Sequence, residues 1–274
     1  MLSFRDVVSG FRNLKLESHF PVVAHGSLSA FGEVRGGAET ILAALLATVD
    51  DVMMPTFTYK TMITPETGPQ GNAIDYGSGS DLNRMAEFFT PDMPADPMMG
   101  ILPEKLRHMP EARRSGHPIL SFAGIGVDAA LQAQTLAEPL APIRVLNDLG
   151  GWVLLIGVNH TTNTSLHYAE KLAGRKQFTR WALTPSGIVE CPGFPGCSDG
   201  FEKAAPLLSD LTREVQIGEA RILALPLADM IQRIKNWLAE NPTAMLCDRV
   251  DCGRCNEVRR SVDSSLSRPE PLSG

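Results

Sequence analysis

The sequence predicts an α/β sandwich. Short apolar runs of strand length alternate with segments whose apolar residues recur at helical spacing, and several of those runs end in Gly or Pro and open into polar loops. Hydrophobic residues make up 43% of the 274 residues, enough for a sizeable core. No internal repeat divides the chain. The organisation read from it is a single domain over residues 1–262, with a Cys-rich segment at 191–255, followed by a Ser/Pro-rich tail at 263–274 expected to be disordered.

Taken in order, residues 4–15 read as a short amphipathic helix. Residues 21–24 are a short buried strand that ends in His25-Gly26-Ser27-Leu28-Ser29. Gly36-Gly37 leads into a helix over 38–49, and 51–55 is a second strand. Residues 60–100 are rich in Gly, Pro, Asp and Ser and read as one long irregular segment, which inside a domain tends to be functional or mobile. A helix follows at 100–106, a strand at 119–126, and helices at 127–136 and 143–149. The apolar run 153–156 is a strand, and 165–172 has no helix breaker. Short strands then occur at 179–183 and 187–191, with helical segments at 201–213 and 226–239.

The formal net charge is −6, and no Lys/Arg-rich run carries interleaved aromatics, which argues against nucleic acid as a partner. No apolar run approaches the ~18 residues that a membrane-crossing helix needs. The start, MLSFRDVVSGFRNL, carries charge where a signal peptide needs an apolar stretch. A cytoplasmic protein is expected, in which the five Cys are thiols or metal ligands rather than disulfides.

The most informative stretch is 157–170, GVNHTTNTSLHYAE. A strand that ends in Gly and opens into a polar loop delivers side chains to a cleft. On the helix that follows, capped by Thr164 or Ser165, His167 and Glu170 are three residues apart and share a face. A His beside a carboxylate at a strand mouth supplies the parts of a proton-transfer site. Three histidines fall next to strand ends: His25, His117, and His160 or His167. Gly36-Gly37, at a helix start, suits the approach of a phosphate, although its spacing matches neither a P-loop nor a dinucleotide fingerprint, and an ordinary turn is the alternative. Ser27 sits in no G-x-S-x-G elbow and reads as a hydroxyl donor. Asp75, Asp81, Glu87, Asp92 and Asp96 read as a solvated loop, or as partners for ammonium groups if the loop overhangs the cleft.

Cys247, Cys252 and Cys255 have the spacing C-x4-C-x2-C, and Cys191 and Cys197 lie in CPGFPGC. Two Cys-bearing turns brought together close a tetrahedral zinc site, structural in type, with Cys197 or Cys191 as the fourth ligand; four unpaired thiols are the alternative.

Together these pieces resemble the antibiotic acetyltransferase family, the aminoglycoside 3-N-acetyltransferases and their relatives. The segments that carry the resemblance are VVAHGSLSAFGEVRGGAETILAALL, VMMPTFT, MMGILPEKLRHMPEARRSGHPILSFAGIG and GGWVLLIGVNHTTNTSLHYAEKLAG, with a weaker similarity through GCSDGF and IGEARI. The resemblance implies a three-layer α/β/α sandwich of the family's own type, not the GNAT fold. It implies acetyl transfer from acetyl-CoA directly to an amine of an aminoglycoside or related acceptor, with no covalent enzyme intermediate. His117, in RRSGHP, is implied as the main catalytic group, supported by Glu170, with His25 in the same cleft. Ser27, Leu28, Ser29, Gly36 and Gly37 are implied as the coenzyme A side. Residues 60–97 hold no Trp, where the antibiotic-modifying members carry a Trp- and Pro-rich stretch, and the Cys tail also departs from the resistance enzymes. The implied partners are a small amine and coenzyme A, without nucleic acid or membrane, and a homodimer is compatible with the chain. A zinc-containing binding protein on the same fold is the competing reading; a hydrolase using metal-activated water is a third.

Overall fold

The computed structural model describes residues 1–266. The chain begins with α1 (Phe4–Asn13), β1 (Val22–Gly26), α2 (Gly37–Leu46), β2 (Val52–Pro55), β3 (Met62–Ile63) and α3 (Ser80–Arg84). It continues with α4 (Ile101–Leu106), β4 (Arg113–Arg114), β5 (Phe122–Ile125), α5 (Asp128–Gln132), α6 (Ala141–Asp148), β6 (Trp152–Ile156) and α7 (Ser165–Leu172). The last part holds β7 (Phe178–Thr184), β8 (Gly187–Phe194), α8 (Ala205–Leu208), β9 (Arg213–Ile217), β10 (Ala220–Pro226), α9 (Leu227–Glu240) and α10 (Gly253–Leu266).

Seven strands form one sheet in the order β4-β5-β2-β1-β6-β10-β9. β1 is central and parallel to β2 and β6, and antiparallel strands extend both sides. Strands covered on both faces carry continuous apolar runs, which is why VVA, VMM and VLLI do not alternate with polar residues. Successive side chains still serve opposite layers. Val22, Ala24, Met54 and Leu154 lie in one core with α1, α2 and α4. Val23, Met53, Val153 and Leu155 lie in the other with α6, α7 and α9. The result is the three-layer α/β/α sandwich implied by the resemblance. A second sheet, β3-β7-β8, is the satellite.

Several elements differ from the sequence reading. The hairpin β9–β10 was not anticipated; residues 201–213 were read as helical, and the helical turns stop at Leu211. β10 carries Ile222-Leu223-Ala224-Leu225, all buried between β6 and β9. Its turn uses Gly218 at φ 58°, where an added Cβ would stand 2.7 Å from the Phe31 carbonyl. The helix expected at 127–136 covers only Asp128–Gln132. Beyond it the Gln134 side chain donates to the carbonyls of Leu120 and Pro139, both at 2.7 Å, and ties down a loop. α10 runs to Leu266, so residues 263–266, read as the start of a tail, are helical. Residues 267–274 lie outside the described residues.

Candidate active site

The parallel strands β1, β2 and β6 end on one edge of the sheet, and a cleft of about 940 Å³ opens there. β1 delivers His25 and then Ser27-Leu28-Ser29, all three at the cleft wall. By strand alternation His25 lies on the face of Val23, the face covered by α7. β6 ends at Gly157, whose φ is 66°, and a Cβ there would come within 2.3 Å of the Ala30 side chain. Only glycine lets the strand exit so close to the loop after β1. The chain then makes a short turn over His160–Thr162, capped by Asn159, and enters α7.

α7 carries the reactive pair. His167 Nδ1 lies 2.7 Å from Glu170 Oε2, as their three-residue spacing requires. Arg175 Nη1 donates to Glu170 Oε1 at 2.5 Å, and Arg175 Nη2 donates to the carbonyls of Pro242 and Ala244, both at 2.7 Å. Glu170 is only 2% exposed, so its charge is stabilised by both partners. With Nδ1 taken by the carboxylate, Nε2 is the ring nitrogen that His167 presents to the cleft. The Phe201 ring lies 4.6 Å from the imidazole, centroid to centroid, and fixes its tilt.

The other predicted residues are distributed as follows. His25 lines the cleft, is buried, and its Nε2 is enclosed without a partner; burial pushes its pKa down to about 3, so the ring is neutral at physiological pH. His117 is buried in the loop before β5, where the Pro118 and Ile119 carbonyls accept from Thr58, between the cleft residues Phe57 and Tyr59; no hydrogen bond joins it to Glu170. Its Nδ1 accepts from the backbone N–H groups of Ile119 and Leu120 at 3.1 and 3.0 Å, which places its proton on an enclosed Nε2. Burial pushes its pKa down to about 4. The imidazole hydrogen-bonded to Glu170 is that of His167, one helical turn away. His160 is buried against Asn163, and burial lowers its pKa as well. Gly36 and Gly37 adopt φ of 79° and 59° at the start of α2 and lie outside the cleft wall, while Ser27, Leu28 and Ser29 line it. The acidic residues at 75–96 do not line it.

The opposite wall was less visible in the sequence. It is built by the loop after β8, by Tyr59, by Arg180 on β7 and by Arg254 on α10. Arg180 lies over the rings of Phe178 and Phe194, and burial, with the charge of Arg254 second, lowers its pKa to about 10. No local pattern marks two arginines 74 positions apart; only the fold brings them to one cleft.

Behind that loop sit Cys197, Cys247, Cys252 and Cys255, their sulfurs all within 4.8 Å of one another. All four are buried and free of disulfides. Cys191 lies apart, buried in the core on β8, where burial pushes its thiol up to about 12. Among the described residues no helix is long and apolar enough to cross a membrane.

An imidazole backed by a buried carboxylate thus lies at the open edge of a parallel sheet. A family model described as aminoglycoside 3-N-acetyltransferase matches residues 23–239, and the chain belongs to that family, which makes it an acyltransferase. The aminoglycoside N(3)-acetyltransferase III of a Salmonella species is 29% identical over 264 residues, covering 83% of this chain and 88% of that one. The apoenzyme of aminoglycoside acetyltransferase AAC(3)-IVa superposes with a TM-score of 0.77 at 23% identity, over 94% of this chain and 97% of that one. AAC-IIIb, solved in a binary complex with CoASH, superposes with a TM-score of 0.71 at 23% identity, over 88% and 97% of the two chains.

Proposed function

We propose that the protein transfers an acetyl group from acetyl-CoA directly to an amine, with His167 as the general base and Glu170 as the carboxylate that orients it. The observation that carries this reading is the 2.7 Å contact between His167 Nδ1 and Glu170 Oε2, with Nε2 turned to the cleft. An amine at neutral pH is mostly ammonium and cannot attack a thioester until it loses a proton. Nε2 takes that proton as the nitrogen bonds to the thioester carbon, and Glu170 holds the tautomer and stabilises the imidazolium. The thioester oxygen gains charge during attack and needs donors. The Ser27 and Ser29 hydroxyls, 2.9 Å apart at the cleft wall, are such donors, as is the free start of their turn. Coenzyme A then leaves as the thiolate, and the nitrogen sheds its second proton to solvent as the amide forms. Residues 27–29, at the cleft wall, form the coenzyme A side.

His25 is a neutral wall of the same cleft. His117 acts as the cap of its own turn rather than as the base. Curated relatives are named as aminoglycoside N(3)-acetyltransferases, and an amine of an aminoglycoside or related compound is the acceptor this kinship supports. The intact His167–Glu170 pair favours an enzyme over a binding protein on the same fold. The decisive test is His167→Ala, read as thiol release from acetyl-CoA with a panel of amines. Loss of about 10³-fold in kcat with unchanged coenzyme A affinity is expected; retained turnover would remove the base assignment.

The sulfur cluster fits a structural zinc ion. A tetrahedral ion with Zn–S bonds of about 2.3 Å holds its sulfurs about 3.8 Å apart, which four side chains within 4.8 Å of one another accommodate. Four sulfur donors leave no position for a reacting water, which argues against metal-activated hydrolysis. Bound there, the ion would supply cross-linking of the loop after β8 to the 247–255 segment and no chemistry. Five reduced thiols are in keeping with a cytoplasmic setting.

A further inference from the structure

The cleft carries positive charge that the protein does not neutralise. Arg180 is 6% exposed, yet among the described residues no carboxylate lies within ion-pair distance of it or of Arg254. Nη1 of Arg180 donates to the carbonyls of Asn72 and Thr179 at 3.1 and 2.7 Å. Two phenyl faces fix its plane. Its Nε and Nη2 make no hydrogen bond in the fold, and neither is sealed from the cleft. Arg254 spends Nη1 on the Gly196 carbonyl at 2.9 Å and presents the rest of its guanidinium to the same space. Thiolates at Cys252 and Cys255, its chain neighbours, would offset part of its charge; Arg180 has no such neighbour. Among the described residues Asp199 is the one carboxylate in the cleft wall, and it lies 3.4 Å from Arg249.

A buried guanidinium held in place but left without a counter-ion is completed by a ligand. Its planar fork matches carboxylate and phosphate oxygens. A polycation meets the reverse situation: two fixed positive groups and no free carboxylate. Resting on the transferase reading above, we propose that the acceptor is an amine that also bears an anionic group, carboxylate or phosphate, which Arg180 and Arg254 hold while its amine faces His167. The Arg pair stands on β7 and α10 and the proposed coenzyme A side is the Ser27–Ser29 turn, so on that reading the anion is assigned to the acceptor.

The test measures binding and turnover separately on the full-length protein. Calorimetry in saturating coenzyme A compares phosphoethanolamine with ethanolamine and with the polycation kanamycin. Phosphoethanolamine is expected to bind at least about tenfold tighter than either, with Arg180→Met weakening it about tenfold or more and leaving coenzyme A affinity unchanged. Arg254→Met, at a half-buried position, gives the same readout if Arg180→Met fails to fold. Equal affinity for the three amines overturns the proposal. So does phosphoethanolamine binding that vanishes when coenzyme A is present, or a variant that weakens coenzyme A instead, since the pair would then hold the coenzyme's phosphates. Thiol release is read apart from this: anion binding without release with any amine removes the transferase reading and leaves the anion site. Release with kanamycin, without preference for phosphoethanolamine, removes the anion site and leaves the transferase.

Discussion

The two walls of the cleft are held by different physics. The wall with His25 and His167 is the end of a parallel sheet sealed between two helical layers, so many small apolar contacts position it together. The wall with Arg180, Arg254 and the 194–199 loop is backed by the three-stranded satellite sheet, and its Phe178, Phe194, Cys197 and Val258 join the core that holds α6, α7 and α9. Point links add to that packing: the four sulfurs, Arg254 to the Gly196 carbonyl, and Lys203 to the Leu246 carbonyl at 2.9 Å. A wall that also depends on point links shifts when one of them is cut. On the transferase reading, the group that must be placed to a fraction of an ångström is on the first wall, and the groups proposed to hold the acceptor's anion are on the second.

The largest expected break of this contrast is on the rigid side. Glu170→Gln removes the charge that stabilises the imidazolium and leaves Arg175 buried without a counter-ion. A fall in kcat of about 10²–10⁴-fold, with a stability loss of about 3–5 kcal/mol, is expected. Steady-state kinetics and denaturant melts check it, and a variant of wild-type stability would show that the Glu170–Arg175 pair is not the buried link described above.

On the other wall, metal content near one zinc per chain is expected by elemental analysis. A chelator, or Cys252→Ser, should lower Tm by roughly 6–12 °C, taking about 3 kcal/mol at about 2–4 °C per kcal/mol for a chain of this size. The acceptor KM should rise more than kcat falls, because the His167–Glu170 pair is built without the sulfurs. A metal-free preparation with unchanged Tm would remove the ion from this account, and an equal fall in kcat with no change in KM would show that the walls are not separable.

The same contrast governs what could be read from the sequence. The strands at 21–24, 51–55 and 153–156 were legible because strands buried on both faces must be continuously apolar. His167 and Glu170 were legible as a pair because helix spacing alone brings them together. β9–β10 was missed because Glu214 to Gln216 mixes charge and valine at an edge, although Gly218 marks the turn. Arg180 and Arg254 were missed because each is unremarkable where it stands. Cys197 joined the other three by spacing and turn chemistry, and the fold separates it from Cys191, whose side chain faces the core from β8.

His117 sharpens the point with the smallest effect on activity. Its Nδ1 accepts from the N–H groups two and three residues ahead, the place an asparagine Oδ1 takes in a turn. His117→Asn therefore keeps both hydrogen bonds and removes a titrating group. Its pKa, about 4 in the folded protein, lies below the unfolded value near 6.5, so between those values the unfolded chain binds more protons. Stability from this group is complete above about pH 6.5 and is lost as pH falls toward 4, by about 1.4 kcal/mol per pH unit; His25, at about 3, acts in the same direction. His117→Asn is thus expected to leave kcat within about threefold and to flatten the acid limb of the stability curve by that slope. Urea melts from pH 4 to 7 read the slope, and thiol release reads the rate. A variant that folds with an unflattened limb and no turnover would return the base to His117, and with it the site to the sheet edge beside the β2 exit.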